Sequence, residues 1–203
     1  MIIAPLLGTL PEDFPNLQRT YVRMNSETMT ADLPWGGSIP LDPFFGIMAV
    51  APPASYGRVP SPAPREHGGN MDNKELKAGT TLYFPVWNEG ALFSIGDGHG
   101  VQGDGEVCLT AIETSMTGTF ELIVRKDLSL KIPRAETSTH YITMGFDEDL
   151  DDAAKQALRE MISLLGEISD LTPEDAYFLC SLAADLRVTQ LVDGNKGIHA
   201  MLP

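Results

Sequence analysis

Between Gly96 and Glu113 the chain reads GDGHGVQGDGEVCLTAIE, and five glycines are interleaved with Asp97, His99, Gln102, Asp104 and Glu106. Glycine reaches left-handed backbone conformations and allows close approach of the main chain to a ligand, so a loop laced with it can turn several short polar side chains towards one point. The surrounding fold therefore has to supply short strands and turns that hold such a loop in place.

The flanking sequence fits that demand. Thr80–Val86 (TTLYFPV), Ala91–Ile95 (ALFSI), Glu106–Ile112 (EVCLTAI) and Thr119–Val124 (TFELIV) are short β-favouring runs separated by Gly, Asn and Asp. Upstream, Phe45–Val50 (FGIMAV) precedes Pro-rich loops at Ala51–Ser55 and Pro60–Pro64. After Phe146 the period changes: Leu150, Ala153, Ala154, Ala157, Leu158, Met161 and Leu165 fall at helical spacing, which predicts an amphipathic helix over Leu150–Glu167. Thr172-Pro173-Glu174-Asp175 begins a second helix, with a capping residue, Pro at the first helical position and acids in the first turn. It is expected to run to about Asp185. Leu186–Val192 then reads as a strand stopped by Asp193-Gly194-Asn195. The expected fold is α+β and mostly β, a sandwich-like β core with a C-terminal helix pair followed by a strand. Its expected divisions are an irregular segment over 1–42, a β-rich core carrying the site over 43–146, and an α+β tail over 147–203 packed on that core.

Charge narrows the partners. Against 28 Asp and Glu the chain has 14 Lys and Arg, a net charge of -14, which repels phosphate backbones and anionic lipid. Nucleic acid and membrane surfaces are not expected partners. Part of the acid excess, Asp147–Asp152 (DEDLDD), directly precedes the first helical pattern and reads as a helix start favoured by the helix dipole. Cys108 and Cys180 lie in apolar runs without Cys-x-x-Cys spacing, so neither a disulfide framework nor a zinc knuckle is expected. The N-terminal MIIAPLLGTLPEDF lacks a basic segment and a long apolar stretch, and a cytoplasmic location is expected.

Asp97 and His99 are two residues apart, which in extended backbone places both on one face. Imidazole with carboxylate is a usual ligand set for zinc or a similar divalent ion. Asp104 and Glu106 repeat the spacing. The plain alternative is that each Gly-Asp pair is a hairpin turn. Oxygen ligands along a glycine-rich loop also suit calcium, although the spacing is not that of an EF-hand. A second cluster, His67-Gly68-Gly69-Asn70-Met71-Asp72-Asn73, again mixes glycine with metal-competent side chains.

In order along the chain, FGIMAVAP, GGNMDNKEL, GTTLYFPVWNEGALFSIGDGHGVQGDGEVCLTAIE and SLAADLRVTQLVDGNKGIHAMLP resemble the acetamidase/formamidase family over roughly Pro43 to Pro203. The likeness is to the C-terminal two thirds of the family's members, which usually carry a further β-rich portion ahead of it. It implies hydrolysis of short linear amides such as formamide and acetamide to acid and ammonia, assisted by a divalent metal, zinc first and calcium second, in a homo-oligomer. The family motifs fall on Asp72, Asp97 and His99, expected near the metal. They also fall on Glu113, expected as general base, and on Asp104 with Glu106 as supporting groups or a second cation site. Gln102, Asn70 and Trp87 are expected near substrate. Gly100-Val101 departs from the family's usual Ala-containing pair after Gly-Asp-x-His. A catalytically incomplete subunit or metal-binding module of the same family is the alternative.

Other amidase chemistries fit less well. Gly36-Gly37-Ser38 lacks the lysine context of a Ser-Ser-Lys site, and Cys108 sits in an apolar alternation rather than a reactive elbow. Ser94 with His99 and an Asp would make a triad, but Ser94 lies mid-strand with no turn to expose it.

Overall fold

From Tyr141 to Asp147 the residues alternate: Ile142, Met144 and Phe146 belong to one face, Thr143 and Gly145 to the other, and all five are buried. A strand buried on both faces needs a layer on each side, and the rest of the chain supplies them. The computed structural model describes residues 1–203. In chain order the strands are β1 (Ile2–Ile3), β2 (Gln18–Arg19), β3 (Arg23–Asn25), β4 (Thr30–Asp32), β5 (Ser38–Pro40), β6 (Phe44–Ala49), β7 (Gly68–Asn70), β8 (Thr81–Tyr83), β9 (Ser94–His99), β10 (Arg134–Glu136) and β11 (Tyr141–Asp147). Helices α1 (Leu150–Ile168) and α2 (Pro173–Ala183) follow, then β12 (Asp185–Gln190) and β13 (Lys196–Leu202).

The main sheet is antiparallel with order β12-β13-β11-β10-β8, and β11 pairs with β13 along its whole length, Tyr141 with Leu202 through Asp147 with Lys196. A second antiparallel sheet has the order β7-β6-β9. Between the two sheets lie Met48, Ile142, Met144, Phe146 and Met201, joined by Met71, Leu76 and Ile132. On the opposite face of the main sheet, Ala153, Ala157, Met161, Leu164 and Leu165 of α1 pack with Ile198, Ala200 and Leu202 and with Ala176 and Cys180 of α2. Each large side chain buried here contributes roughly 1.5–3 kcal/mol relative to exposure. The fold is thus α+β and mostly β, with open sheets, α1 covering one face of the main sheet and α2 packed against α1. Neither helix is long and apolar enough to cross a membrane.

Both helices start where local chemistry dictates. Asp149 caps α1, its carboxylate accepting from the backbone N–H groups of Asp151 (2.8 Å) and Asp152 (3.2 Å), so the acidic run is a helix start. Thr172 caps α2 ahead of Pro173. The strands depart further from the sequence pattern. ALFSI is a strand only from Ser94, because Ala91 and Leu92 take positive φ in a turn, and the strand continues through the glycine-rich motif to His99. Neither Glu106–Ile112 nor Thr119–Val124 forms a strand. The Asp193-Gly194-Asn195 stop is the turn of a hairpin, and the residues after it form β13, the longest-paired neighbour of β11.

Helix α1 can approach the sheet closely because β11 has no side chain at Gly145. A Cβ there would collide with the Ala153 carbonyl oxygen and lie 2.8 Å from the Ala157 nitrogen. Gly166, also in α1, has nothing within 4 Å of the same position. Urea unfolding is therefore expected to show Gly145→Ala less stable by about 1–3 kcal/mol, the usual range for overpacking. Gly166→Ala should be more stable by about 0.5–1 kcal/mol through helix propensity. Equal effects at the two positions would contradict this packing.

Candidate metal centre

The glycine-rich motif ends β9, and the register that sets Phe45 against Gly98 and Ile47 against Gly96 puts Gly46 of β6 across from Asp97. Gly46 has no side chain to fill the space between the strands. A Cβ there would collide with Asp72 Oδ1, stand 2.7 Å from Asp97 Oδ2 and 3.1 Å from His99 Cε1. Three metal-competent groups thus converge above one glycine. Asp72 reaches this point from the turn after β7, where the Gly46 carbonyl accepts from the N–H groups of both Met71 (3.1 Å) and Asp72 (3.2 Å). His99 is held from the side by Phe44, whose ring meets the imidazole edge-on at 5.0 Å between centroids.

Two further turns complete the cluster. Segment 109–114 does not become a strand, but it bonds to the end of β9: Gly100 N–H donates to Ile112 O (2.8 Å) and Thr114 N–H to Gly98 O (2.7 Å). This sets Glu113 directly against His99. The loop carrying Glu106 is pinned to the end of β12, where Gly105 N–H donates to Thr189 O (3.2 Å) and Leu191 N–H to Gly105 O (3.0 Å). From the turn of the same hairpin comes Asp193. Ligand atoms of Asp72, Asp97 and His99 all lie within 4.8 Å of one another, as do those of His99, Glu106 and Glu113, and those of Asp72, Glu106 and Asp193.

His99 Nε2 faces Asp97 Oδ2 at 3.2 Å, Glu113 Oε2 at 3.4 Å and Asp72 Oδ1 at 3.8 Å. Its other nitrogen, Nδ1, lies 2.8 Å from Gln102 Oε1. The Gln102 amide has one orientation available, because its Nε2 donates to the carbonyls of Asp72 (2.8 Å) and Thr189 (3.4 Å). Oε1 must then accept from Nδ1–H. That leaves Nε2 either as a lone pair aimed at the acids, the form that ligates a metal, or protonated between them. Asn70 acts similarly on the acid side, donating from Nδ2 to Asp72 Oδ2 (2.7 Å).

The electrostatics follow from crowding. Burial opposes charge on His99, but the hydrogen bond it donates to Asp97 and the charges of Glu113, Asp97 and Glu106 outweigh it and lift the imidazole to about 9. Burial, with Asp193 and Glu106 adjoining, pushes Asp72 well above the carboxylate range. Burial and the Asp193 charge raise Glu106 to about 8. Glu113 and Asp193 are also raised, chiefly by burial, while the hydrogen bond to His99 lowers Asp97. No lysine or arginine pairs with any of these five acids. Carboxylates gathered this tightly ionise together only with a cation among them. Asp72 Oδ1, Glu106 Oε2 and Asp193 Oδ2 are buried without a hydrogen-bond partner, which is the condition a bound cation relieves. The donor set of one imidazole and several carboxylates fits a divalent ion.

Of the residues singled out from sequence, Asp72, Asp97, His99, Glu106 and Glu113 meet here, with Gln102 and Asn70 bonded to them. Asp104 stands outside, paired with Lys74 at 2.8 Å and 41% exposed. Trp87 is 39% exposed on the loop after β8 and joins no hydrogen bond of the cluster. Ser94 sits at the opposite end of β9 from His99, about 16 Å along an extended strand, so the two do not form a triad. Asp193 and Gly46 were not singled out. A lone glycine in the apolar run FGIMAV is a recognisable sign of close approach, whereas Asp193 has no local signal beyond its Asp-Gly-Asn turn.

The chain matches the profile of the Acetamidase/Formamidase family over residues 54–203. Its structure is similar throughout to the acetamidase of Bacillus halodurans, with a TM-score of 0.92 and 35% identity, covering 100% of this chain and 67% of that one. A predicted acetamidase/formamidase of Thermoanaerobacter tengcongensis is similar at a TM-score of 0.90 and 30% identity, covering 100% and 66%. A stretch of 62 residues, 30% of this chain, is 52% identical to the formamidase of Methylophilus methylotrophus and spans 15% of that protein's length.

The space above Gly46 is small enough to test directly. Gly46→Ala is expected to weaken Zn²⁺ binding by at least about tenfold, measured by competition with a chelating indicator, because the added methyl displaces Asp72 and Asp97. Unchanged affinity would mean that these two acids do not ligate from this geometry.

Proposed function

Because the chain belongs to the acetamidase/formamidase family, we propose that it hydrolyses short linear amides, of the formamide and acetamide type, to carboxylic acid and ammonia. The observation that carries this reading is the one-sided exposure of the cluster. The side chains of Asp72 and His99 are 1% exposed and form its floor, while those of Asp97 and Glu113 are 27% and 36% exposed and form a rim that water and a small amide can reach.

Asp72, Asp97 and His99 would hold a divalent cation, zinc before calcium, with Glu106 and Asp193 extending the donor set on the buried side. Such a cation supplies polarisation of an amide carbonyl and acidification of a water. The protein's own groups do the rest. Glu113, on the rim and raised by burial, takes a proton from the attacking water as the C–O bond forms, and returns it to the amide nitrogen as the C–N bond breaks and ammonia leaves. Gln102 acts on His99 rather than on substrate, fixing the tautomer that presents Nε2. Asn70 orients Asp72 in the same way. Asp104, neutralised by Lys74, has no part in the step. A cytoplasmic setting suits the two free thiols, Cys108 and Cys180.

A second reading is a metal-binding subunit that turns over only with another polypeptide. The chain spans about two thirds of the length of its solved neighbours.

Purified protein supplied with Zn²⁺ is expected to release ammonia from at least one of formamide, acetamide and propionamide. Glu113→Gln should lower kcat by about 10²–10⁴. Stoichiometric metal with no ammonia from any of the three would favour the subunit reading, and full activity in Glu113→Gln would remove the assigned base.

A further inference from the structure

The hairpin that delivers Asp193 to the metal centre is built around a buried amide. β12 ends at Gln190, which has no exposed surface, and residues 191–195 turn the chain over into β13. From Val192 to Asn195 no main-chain group bonds to another main-chain group. Such groups need partners from elsewhere, and Gln190 supplies them. Its Oε1 accepts from the N–H groups of Val192 (2.9 Å) and Asp193 (3.1 Å), and its Nε2 donates to the Asn195 carbonyl (2.7 Å). A flipped amide would set Nε2–H against two N–H groups and Oε1 against a carbonyl, so this orientation is the one available. Room for the side chain comes from Gly197, its register partner on β13: a Cβ there would stand 3.6 Å from Gln190 Nε2 and 3.0 Å from Thr189 Cβ.

The turn is also fixed at both shoulders. Leu191 N–H donates to Gly105 O (3.0 Å), next to Glu106, and Asn195 Nδ2 donates to Pro64 O (2.9 Å), in the loop that leads into β7 and on to Asp72. It therefore spans the two segments that carry the other acids of the buried trio Asp72, Glu106 and Asp193. An Asp-Gly turn can close a hairpin with main-chain bonds of its own. Here a buried glutamine holds the turn instead, and one of the two N–H groups it binds belongs to Asp193, whose Oδ2 is buried without a partner. We propose that Gln190 is a positioning residue for the cation site, fixing the main chain of Asp193 so that its carboxylate stands against those of Asp72 and Glu106. This rests on the reading of the cluster as a cation site, and adds to it the means by which the donor from the β12–β13 turn is held. Groups one step behind metal ligands change metal affinity about 10–100-fold.

The test is the Zn²⁺ affinity of the 203-residue chain, read by competition with a chelating indicator. Gln190→Met, which roughly keeps the volume and removes all three bonds, is expected to weaken it about tenfold. In an Asp193→Asn background the same change should have no further effect, because Gln190 reaches the cation only through that carboxylate. A glutamine that merely supports the fold would weaken both backgrounds alike. Hydrogen exchange of the metal-free chain, followed by NMR, needs no variant: the amides of Val192 and Asp193 are expected to exchange at least about tenfold more slowly, relative to their intrinsic rates, than the unbonded amide of Gly194. Thermal melting establishes that each variant is folded, and the exchange result stands if Gln190→Met is not. An unmodified chain that binds no Zn²⁺ removes the cation reading and this proposal with it. A chain that binds Zn²⁺ but is indifferent to Gln190→Met, or loses affinity equally in both backgrounds, overturns the proposal alone. So do Val192 and Asp193 amides that exchange as readily as that of Gly194.

Discussion

Five carboxylates surround one imidazole with no lysine or arginine among them, and much of the architecture serves to hold that uncompensated charge in place. Repulsion of this kind disperses the groups unless the backbone fixes them. Here each acid comes from a different part of the chain: Asp72 from the turn after β7, Asp97 from β9, Glu106 and Glu113 from the two turns beyond it, and Asp193 from the β12–β13 hairpin. Main-chain hydrogen bonds tie these turns together, Asp72 to Gly46, Thr114 to Gly98, and Gly105 to Thr189. The main sheet then anchors the hairpin through β13 and β11, which is how the helix-covered half of the molecule reaches the centre.

Holding the acids inward requires strained backbone. Asp72, Asp97 and Glu106 have φ of 48°, 60° and 44°, so three of the eight non-glycine residues with positive φ are carboxylates of this one cluster. Each such conformation costs on the order of 1–3 kcal/mol. Aspartate tolerates it better than glutamate, because its short side chain can bond locally. The packed layers around Met144 and Met161 offset that strain, and a cation bound only by the folded chain would offset it further.

Much of this was legible in the sequence, for identifiable reasons. The helices declared themselves through period and caps, with Asp149 and Thr172 at their starts. The glycine-laced motif pointed to a candidate site, and the fold brings its Asp97, His99, Glu106 and Glu113 into one cluster. The strand pattern was less informative. EVCLTAI has the composition of a strand, but its residues are used to bond one turn to the end of β9, and TFELIV, with the same strand-like composition, forms no strand among these residues. Asp193 was not legible at all, since the Asp-Gly-Asn turn carrying it is ordinary in sequence and becomes part of the centre only when the hairpin docks against Gly105. Asp104 misled in the opposite direction: it repeats the spacing of Asp97, yet Lys74 neutralises it at the surface.

We read this cluster as a cation site built over Gly46. Anomalous diffraction at the zinc edge, from crystals of the protein grown with Zn²⁺, tests it most directly. A strong peak among Asp72, Asp97 and His99, lost in crystals of His99→Ala, is the predicted result. Crystals with no anomalous density at that point, or with zinc held only by surface acids such as those preceding α1, would contradict it.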